Sequence, residues 1–121
     1  YAIITKEIFA HPIIKKASTI VKYKFTTINT KKVHSIKNTD KLINTSNLKI
    51  AGSKTGYLNE ALYCLMIRVE KNSLDSLVII TLGTPTRSKS FEETEDLARY
   101  ALKKVPNKPS QLYGLSGKLY F

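Results

Sequence analysis

Hydrophobic positions near the N-terminus recur with helical spacing. Apolar residues at positions 2–4, 8–9, 13–14 and 17 would fall on one face of a helix. Pro12 fits the first turn of a second helix better than the interior of one long helix. The pattern therefore predicts two helices within residues 1–18, with a break at His11-Pro12.

A looser alternation of apolar and polar positions follows. Residues 19–37 contain several threonines and favour short strands around a polar turn at residues 29–32. Residues 38–49 are rich in turn-forming side chains and predict a surface loop, which Leu42 and Ile43 would hold to the core.

Three strand patterns then follow one another. We expect strands at about 50–57, 61–70 and 76–83. Because connections this short join antiparallel neighbours, the three strands should form a meander. The third is a nearly continuous apolar run, which is typical of a central strand buried on both faces.

An amphipathic helix is predicted after a loop at residues 84–90. Ser90 and Glu93 have the spacing of a capping box, which would begin the helix near residue 91, and Pro106 would end it after residue 104. Its buried side is expected to carry Phe91, Leu97, Ala98, Ala101, Leu102 and Val105. The elements predict an α+β domain over residues 1–105, an antiparallel sheet with flanking helices, and a linker or extended tail over 106–121.

Net charge is the strongest compositional feature. The 121 residues carry a formal net charge of +11, which favours attraction to polyanions such as nucleic acid, anionic lipid or acidic wall polymers. Because the lysines are spread along the whole chain, biased residue usage explains the charge equally well. Cys64 is the single cysteine, so no intrachain disulfide forms, and its neighbours predict a buried side chain.

The segment around Lys54 is the strongest candidate for chemistry. Lys54 brings a positive charge, Thr55 brings a hydroxyl for a carboxylate or phosphate, and Gly56 lacks the Cβ that would keep a ligand off the strand. Lys-Thr-Gly is one signature of penicillin-interacting serine enzymes. A tripeptide alone, however, recurs by chance.

The order of the surrounding motifs is far more specific. The chain reads Asn38-Thr39-Asp40, then Gly52-Ser53-Lys54-Thr55-Gly56-Tyr57, then Ala61-Leu62-Tyr63-Cys64-Leu65. Over about residues 1–104 this resembles the C-terminal part of the catalytic domain of serine D-alanyl-D-alanine carboxypeptidases, the low-molecular-weight penicillin-binding proteins. Asp40, Leu58 and Leu62 depart from the Asn, Thr and Gly that are usual in that family.

The resemblance implies a β-lactamase/transpeptidase-like fold and an extracytoplasmic enzyme of the bacterial cell envelope, at the outer face of the cytoplasmic membrane. Such a hydrolase acts without a cofactor or metal on peptidoglycan stem peptides ending in D-Ala-D-Ala, by acyl transfer to a serine that β-lactams also acylate. It implies that Lys54 assists that serine, that Thr55 and Gly56 bind substrate, and that the Tyr57 amide is an oxyanion donor. Arg87, with Lys89 as the alternative, is the implied second cation for the substrate carboxylate.

The nucleophile motif of the family is missing from this sequence. There is no Ser-x-Asn, and the one Ser-x-x-Lys, Ser46 to Lys49, lies too few residues before Lys54 to face it across a cleft. The chain therefore reads as half of a catalytic domain, inactive alone, and Tyr1 in place of a start methionine hints at truncation. It is expected to need the N-terminal half as its partner and, without it, to dimerise, swap elements or aggregate.

Two alternatives stay open. One is a non-catalytic homologue that binds peptidoglycan. The other is a basic polyanion-binding module, although nucleic acid is a poorly supported partner because no RNA-binding aromatic motif is present. A β-lactamase shares Lys-Thr-Gly, but the Asn-Thr segment and the Tyr-Cys-Leu strand favour the carboxypeptidase.

Overall fold

Helices and strands follow one another largely in the predicted order. The computed structural model describes residues 1–73 and 75–105, together with the backbone of two short strands further on. The elements are α1 (Ala2–Ile8), α2 (Pro12–Thr19), β1 (Lys22–Thr26), β2 (Val33–Lys37), α3 (Leu42–Thr45), β3 (Ile50–Leu58), β4 (Leu62–Glu70), β5 (Ser76–Thr84), α4 (Arg87–Lys104), β6 (Leu112–Tyr113) and β7 (Leu119–Tyr120). Apart from the antiparallel β6–β7 pair, the predicted tail over 106–121 lies outside the described residues.

β3, β4 and β5 form an antiparallel sheet in that order, which confirms the predicted meander. The central strand is β4, so the prediction that the 76–83 run would be central is wrong. Residues of β5 alternate between buried and less buried positions from Ser76 to Thr81. The apolar run predicted burial on both faces, but only one face of β5 packs fully, on α4, whereas α1 covers only part of the other face.

The hydrophobic core lies between α4 and one face of the sheet. Leu65, Ile67 and Val69 of β4 are fully buried, at 0% exposed. Burying each such side chain stabilises the fold by roughly 1.5–3 kcal/mol. The remaining core residues confirm the predicted inner side of α4 and the anchoring role of Leu42: they are Leu42, Leu77, Ile79, Phe91, Ala98, Ala101 and Val105.

α1 lies against the opposite face of the sheet. The Thr5 hydroxyl lies 3.2 Å from Met66 Sδ, and Arg68 Nη1 donates a hydrogen bond of 2.8 Å to the Phe9 carbonyl. Ile3 and Ile13, however, are each 72% exposed. The two helices break at Pro12 as predicted, but much of their apolar face is open in the described part of the chain.

The start of α4 differs from the prediction. Thr86 is the N-cap, and its Oγ1 accepts a hydrogen bond of 3.2 Å from the Lys89 amide. The capping box at Ser90 and Glu93 is therefore wrong, and most of the predicted 84–90 loop belongs to β5 or α4. Ser90 is buried in the first turn and donates to the Arg87 carbonyl over 2.8 Å. Hydroxyl residues occupy every second position from Thr84 to Ser90. Because β5 ends at Thr84, the helix starts early enough for Thr86 to be its cap.

The predicted loop at residues 38–49 contains the single helical turn α3. Two further strands, β1 and β2, form a separate antiparallel hairpin, as the alternation at residues 19–37 predicts. Among the described residues, none of the helices combines the length and the apolar character needed to cross a lipid bilayer.

Candidate functional site: the outer edge of β3

β3 has a neighbouring strand on one side only, so its other side is an edge of the described sheet. The Ser53 amide donates to the Ser18 hydroxyl of α2 over 3.3 Å, and therefore points away from β4. Hydrogen-bonding groups alternate in direction along an antiparallel strand. Since the pairing with β4 is continuous from Ser53 to Leu58, the Thr55 and Tyr57 amides also point to this outer edge.

The ammonium group of Lys54 carries an uncompensated charge beside this edge. The side chain is exposed, and its Nζ donates to the carbonyl of Thr55. Within residues 1–73 and 75–105, none of the ion pairs involves Lys54. The positive charge is therefore available to a group outside the described residues.

Thr55 contacts the upstream Asn38-Thr39-Asp40 segment directly. The hydroxyls of Thr39 and Thr55 lie 2.6 Å apart. Asn38 Nδ2 donates to the carbonyls of Ser18 and Ile20, over 2.8 and 3.1 Å. The two motifs that stand apart in the sequence are thus one cluster at the end of α2.

Asp40 is the buried carboxylate of this cluster, at 3% exposed. Its Oδ2 accepts a 2.5 Å hydrogen bond from the Ser53 hydroxyl, and its Oδ1 accepts one of 2.8 Å from the Leu42 amide. Burial raises the pKa of Asp40, and the hydrogen bonds from Ser53 and Leu42 offset part of that rise.

The two glycines of the motif occupy different surroundings. A Cβ at Gly52 would lie 2.4 Å from Phe9 Cγ, so the packing of α1 on the sheet requires a glycine there. A Cβ at Gly56 would meet only Cys64 Cβ, at the ordinary contact distance of 3.8 Å, and the Gly56 φ is not positive. The chain's own packing therefore does not require glycine at position 56.

Among the described residues, clefts lie on both sides of this strand. One of about 490 Å³ lies between α2 and the outer edge, lined in part by Ser18, Thr39, Lys54 and Thr55. The other, of about 320 Å³, lies on the α1 face and includes Cys64 among its walls. Cys64 is only half-buried, so its predicted burial is wrong. α1 does not cover the beginning of β4.

Arg87 is the first residue of α4 and not a loop residue as predicted. Its Cζ lies 6.0 Å from the centre of the Tyr63 ring, which in turn lies 4.5 Å from the Tyr57 ring. Lys89, the alternative cation, forms an ion pair of 2.9 Å with Glu92 of its own helix. The geometry thus brings Arg87, and not Lys89, to the aromatic pair at the end of β3.

Ser46 and Lys49 face two different elements. The Ser46 hydroxyl donates to Glu95 of α4 over 2.8 Å, and Lys49 Nζ lies 2.8 Å from Glu70 at the end of β4. Both side chains serve contacts that hold the 38–49 segment to the fold. Sequence reasoning did not identify Thr39, Asp40 and Ser53 as a connected group, although the unusual Asp40 was a signal.

The chain is similar to proteins of one enzyme class. A family model described as D-alanyl-D-alanine carboxypeptidase matches residues 1–86. A D-alanyl-D-alanine carboxypeptidase from Mycobacterium tuberculosis aligns with a TM-score of 0.71 at 19% identity, over 89% of this chain and 40% of that one. A mutant Streptomyces DD-transpeptidase aligns with a TM-score of 0.70 at 18% identity, over 78% of this chain and 38% of that one.

These solved structures show that the fold is that of the penicillin-binding transpeptidases, with an α+β architecture, as predicted. The chain spans about two fifths of their length. No curated protein matches it significantly.

Proposed function

The chain belongs to the D-alanyl-D-alanine carboxypeptidase family, and from this premise we propose that it forms one wall of the active site of a serine peptidase. The proposed enzyme removes the terminal D-alanine from peptidoglycan stem peptides that end in D-Ala-D-Ala. β-Lactams would acylate the same serine, at the outer face of the bacterial cytoplasmic membrane.

One observation carries the proposal: within residues 1–73 and 75–105, the outer edge of β3 has backbone donors without a partner, beside an open cleft. The Thr55 and Tyr57 amides point outward, as the Ser53–Ser18 hydrogen bond and the continuous register require. An extended peptide can add to such an edge as an antiparallel strand. Gly56 has no packing reason within the described fold, and its missing Cβ lets a peptide approach the backbone.

Each candidate residue has a separate role in this proposal. The Thr55 hydroxyl donates to the terminal carboxylate, and Arg87 supplies a second, planar cation from the start of α4. The Tyr57 amide donates to the oxyanion when serine adds to the peptide carbonyl. The loss of one such donor costs roughly 2.7–4 kcal/mol of transition-state stabilisation. Lys54 lies beside these groups with its charge uncompensated among the described residues.

The attacking serine, in this proposal, belongs to a portion of the domain outside this chain. Relatives of known structure are about two and a half times as long as the matched part. The open apolar face of α1 and α2, with Ile3 and Ile13 each 72% exposed, is a surface on which that portion can pack. The chemistry then runs as acyl transfer: the serine–carbonyl bond forms, the peptide bond breaks, D-alanine leaves, and water hydrolyses the ester.

Peptide binding tests the proposal on the chain itself. Titration of the isotope-labelled chain with an N-acylated peptide ending in D-Ala-D-Ala should shift the amide resonances of residues 53–57. Lys54→Ala should weaken binding about tenfold, as expected for a lost charged partner. Lys24→Ala, which removes another exposed lysine, from the β1–β2 hairpin, should bind like the wild type.

Acylation tests the catalytic half of the proposal. When the remaining portion of the domain is supplied with this chain, a fluorescent penicillin should label it, and Lys54→Ala should prevent the labelling. Labelling that is equal with and without Lys54→Ala would contradict the proposed role. A peptide titration with no shifts at residues 53–57 would contradict the substrate assignment.

One observation favours a second candidate function, polyanion binding. On the β1–β2 hairpin, the Phe25 ring stacks with Tyr23 at 6.2 Å and with His34 at 5.1 Å. Lys22 and Lys24 alternate with these rings along β1 and therefore lie on the opposite face of the same hairpin. Bases of single-stranded nucleic acid stack on exposed aromatic rings, and lysines on the same element attract its phosphates. Such binding would weaken steeply as salt is raised. A salt-independent or absent interaction in filter binding would dismiss it.

A further inference from the structure

We propose that Asn38, Thr39 and Asp40, clamped to β3 and α2, act as an end stop that lets only the C-terminal end of a peptide occupy the outer edge of β3. The inference deepens the proposed function and rests on it, since it concerns how the same edge selects its substrate. These three residues are called the end stop below.

The free part of the outer edge of β3 begins after Ser53. The Ser53 amide is already occupied by the Ser18 hydroxyl, and the Ser53 side chain by Asp40, at 3.3 and 2.5 Å. The next outward-facing residue along the strand is Thr55, followed by Tyr57. Backbone pairing with an added strand is therefore open from Thr55 onward and closed at Ser53.

The direction of a peptide on this edge follows from antiparallel pairing. A strand that pairs antiparallel with β3 runs from the Tyr57 end towards the Ser53 end. Its C-terminus therefore arrives at Thr55, where the Thr39 hydroxyl lies 2.6 Å from the Thr55 hydroxyl. Two hydroxyls at this point suit a terminal carboxylate, which accepts several hydrogen bonds. To pair with β3 beyond Thr55, a further residue would have to displace the Ser53–Ser18 hydrogen bond and move past the end stop.

Hydrogen bonds hold the end stop rigidly, as it must be held if it is to block a longer peptide. Asn38 is tied to the carbonyls of Ser18 and Ile20 at the end of α2 and accepts from the Asp40 amide over 3.0 Å. Asp40 is tied to β3 through Ser53 and to α3 through the Leu42 amide. The end stop is thus fixed on three elements at once.

The chemistry of Asp40 agrees with a positioning role. Burying a carboxylate costs free energy unless its oxygens accept hydrogen bonds. Asp40 is buried with both oxygens hydrogen-bonded. The two hydrogen bonds hold the carboxylate in one orientation between β3 and α3, as a positioning role requires.

Two peptides and four variants test the inference on the chain. The first peptide ends in D-Ala-D-Ala with a free carboxylate, and the second carries one additional glycine after it. We expect the wild type to bind the first at least tenfold more tightly than the second. Asp40→Ala and Thr39→Gly should lower that ratio to about threefold or less, because the end stop loosens.

Ser46→Ala is the matched control, since it releases the same loop from α4 but touches none of the three end-stop residues. Its affinity ratio should equal that of the wild type. Asp40→Asn, which retains an acceptor for the Leu42 amide and a partner for Ser53, should restore most of the discrimination. A role in stability alone would change the unfolding midpoint and leave the ratio of the two affinities where it was.

The outcomes separate the two proposals. Equal binding of both peptides by the wild type would overturn the end stop and leave the proposed function standing. An unchanged ratio in Asp40→Ala and Thr39→Gly would do the same. If the wild type binds neither peptide, the proposed function fails and the end stop fails with it.

Discussion

Gly52 and Gly56 should respond in opposite ways to the same substitution. The two residues lie on one strand, four positions apart, and Gly→Ala adds the same single carbon at each. At Gly52 the added Cβ would lie 2.4 and 2.5 Å from Phe9 Cγ and Cδ1. At Gly56 its nearest neighbour would be Cys64 Cβ at 3.8 Å.

The magnitude at position 52 follows from how firmly Phe9 is held. Phe9 is only 2% exposed, and its backbone carbonyl accepts a hydrogen bond of 2.8 Å from Arg68. The ring is therefore not a flexible end that can swing into solvent, and overpacking of this kind costs about 1–3 kcal/mol. Gly52→Ala should fall near the middle of that range, at about 2 kcal/mol.

At position 56, Gly→Ala should leave the free energy of unfolding unchanged or raise it slightly. Its φ is compatible with an L residue, because Gly83 is the only described glycine with a positive φ. Gly→Ala at such a site stabilises by about 0.4–1 kcal/mol through the unfolded chain. The same Cβ projects beside the proposed peptide edge, so Gly56→Ala should weaken binding of the D-Ala-D-Ala peptide.

Urea unfolding followed by circular dichroism measures the first effect. With a slope of about 1–3 kcal/mol per molar urea, Gly52→Ala should lower the midpoint by about 1 M. Phe9→Leu introduced together with Gly52→Ala should recover part of the loss, since the two sites are in contact and their effects should not add. An unchanged midpoint in Gly52→Ala, or an equal loss in Gly56→Ala, would refute the reasoning.

Three further measurements test other parts of the fold. Two lysines at 2.5 and 2.8 Å hold the pKa of Glu70 at about 2, below its ordinary 4.5. The contribution of these two ion pairs to the free energy of unfolding should therefore be complete above pH 4.5 and vanish as the pH falls through about 2. Glu70→Gln should cost about 1 kcal/mol at pH 7 in urea melts, and a pH-independent cost would contradict this. Thr86→Ala should cost about 1 kcal/mol as a lost N-cap, whereas Glu93→Ala should change the midpoint little; the reverse order would support the capping box. Light scattering should show self-association of the chain that Ile3→Lys with Ile13→Lys reduces, and a monomeric wild type would contradict it.

Local sequence was a sound guide wherever neighbouring residues decide the conformation. Pro12 separates α1 from α2 because it lacks an amide donor and clashes within a helix interior. Short connections make β3, β4 and β5 antiparallel neighbours. The spacing of apolar residues on α4 identified its buried side. Each of these predictions depends on residues within a few positions of one another.

Predictions that needed distant residues failed or could not be made. The apolar run of β5 could not reveal that β4 is the central strand, because that depends on which elements cover each face. Thr86 rather than Ser90 caps α4, because the end of β5 sets the position of the first turn. Cys64 looked buried beside its apolar neighbours, yet α1 leaves that part of β4 open.

For the candidate site, the sequence alone determined the residue types and their order: a lysine, a hydroxyl and a glycine on one strand, with an Asn-Thr-Asp segment upstream. Those motifs were sufficient to predict the family, which the match over residues 1–86 confirms. Only the tertiary structure decided the direction of the backbone. Ser18 and Asp40 are 35 and 13 residues from Ser53 along the chain. The Ser53 amide, which points away from β4, donates to Ser18, the Ser53 hydroxyl donates to Asp40, and the two hydrogen bonds close the edge at that point. No pattern along the chain contains those contacts, because they form only when α2, the 38–40 segment and β3 pack together.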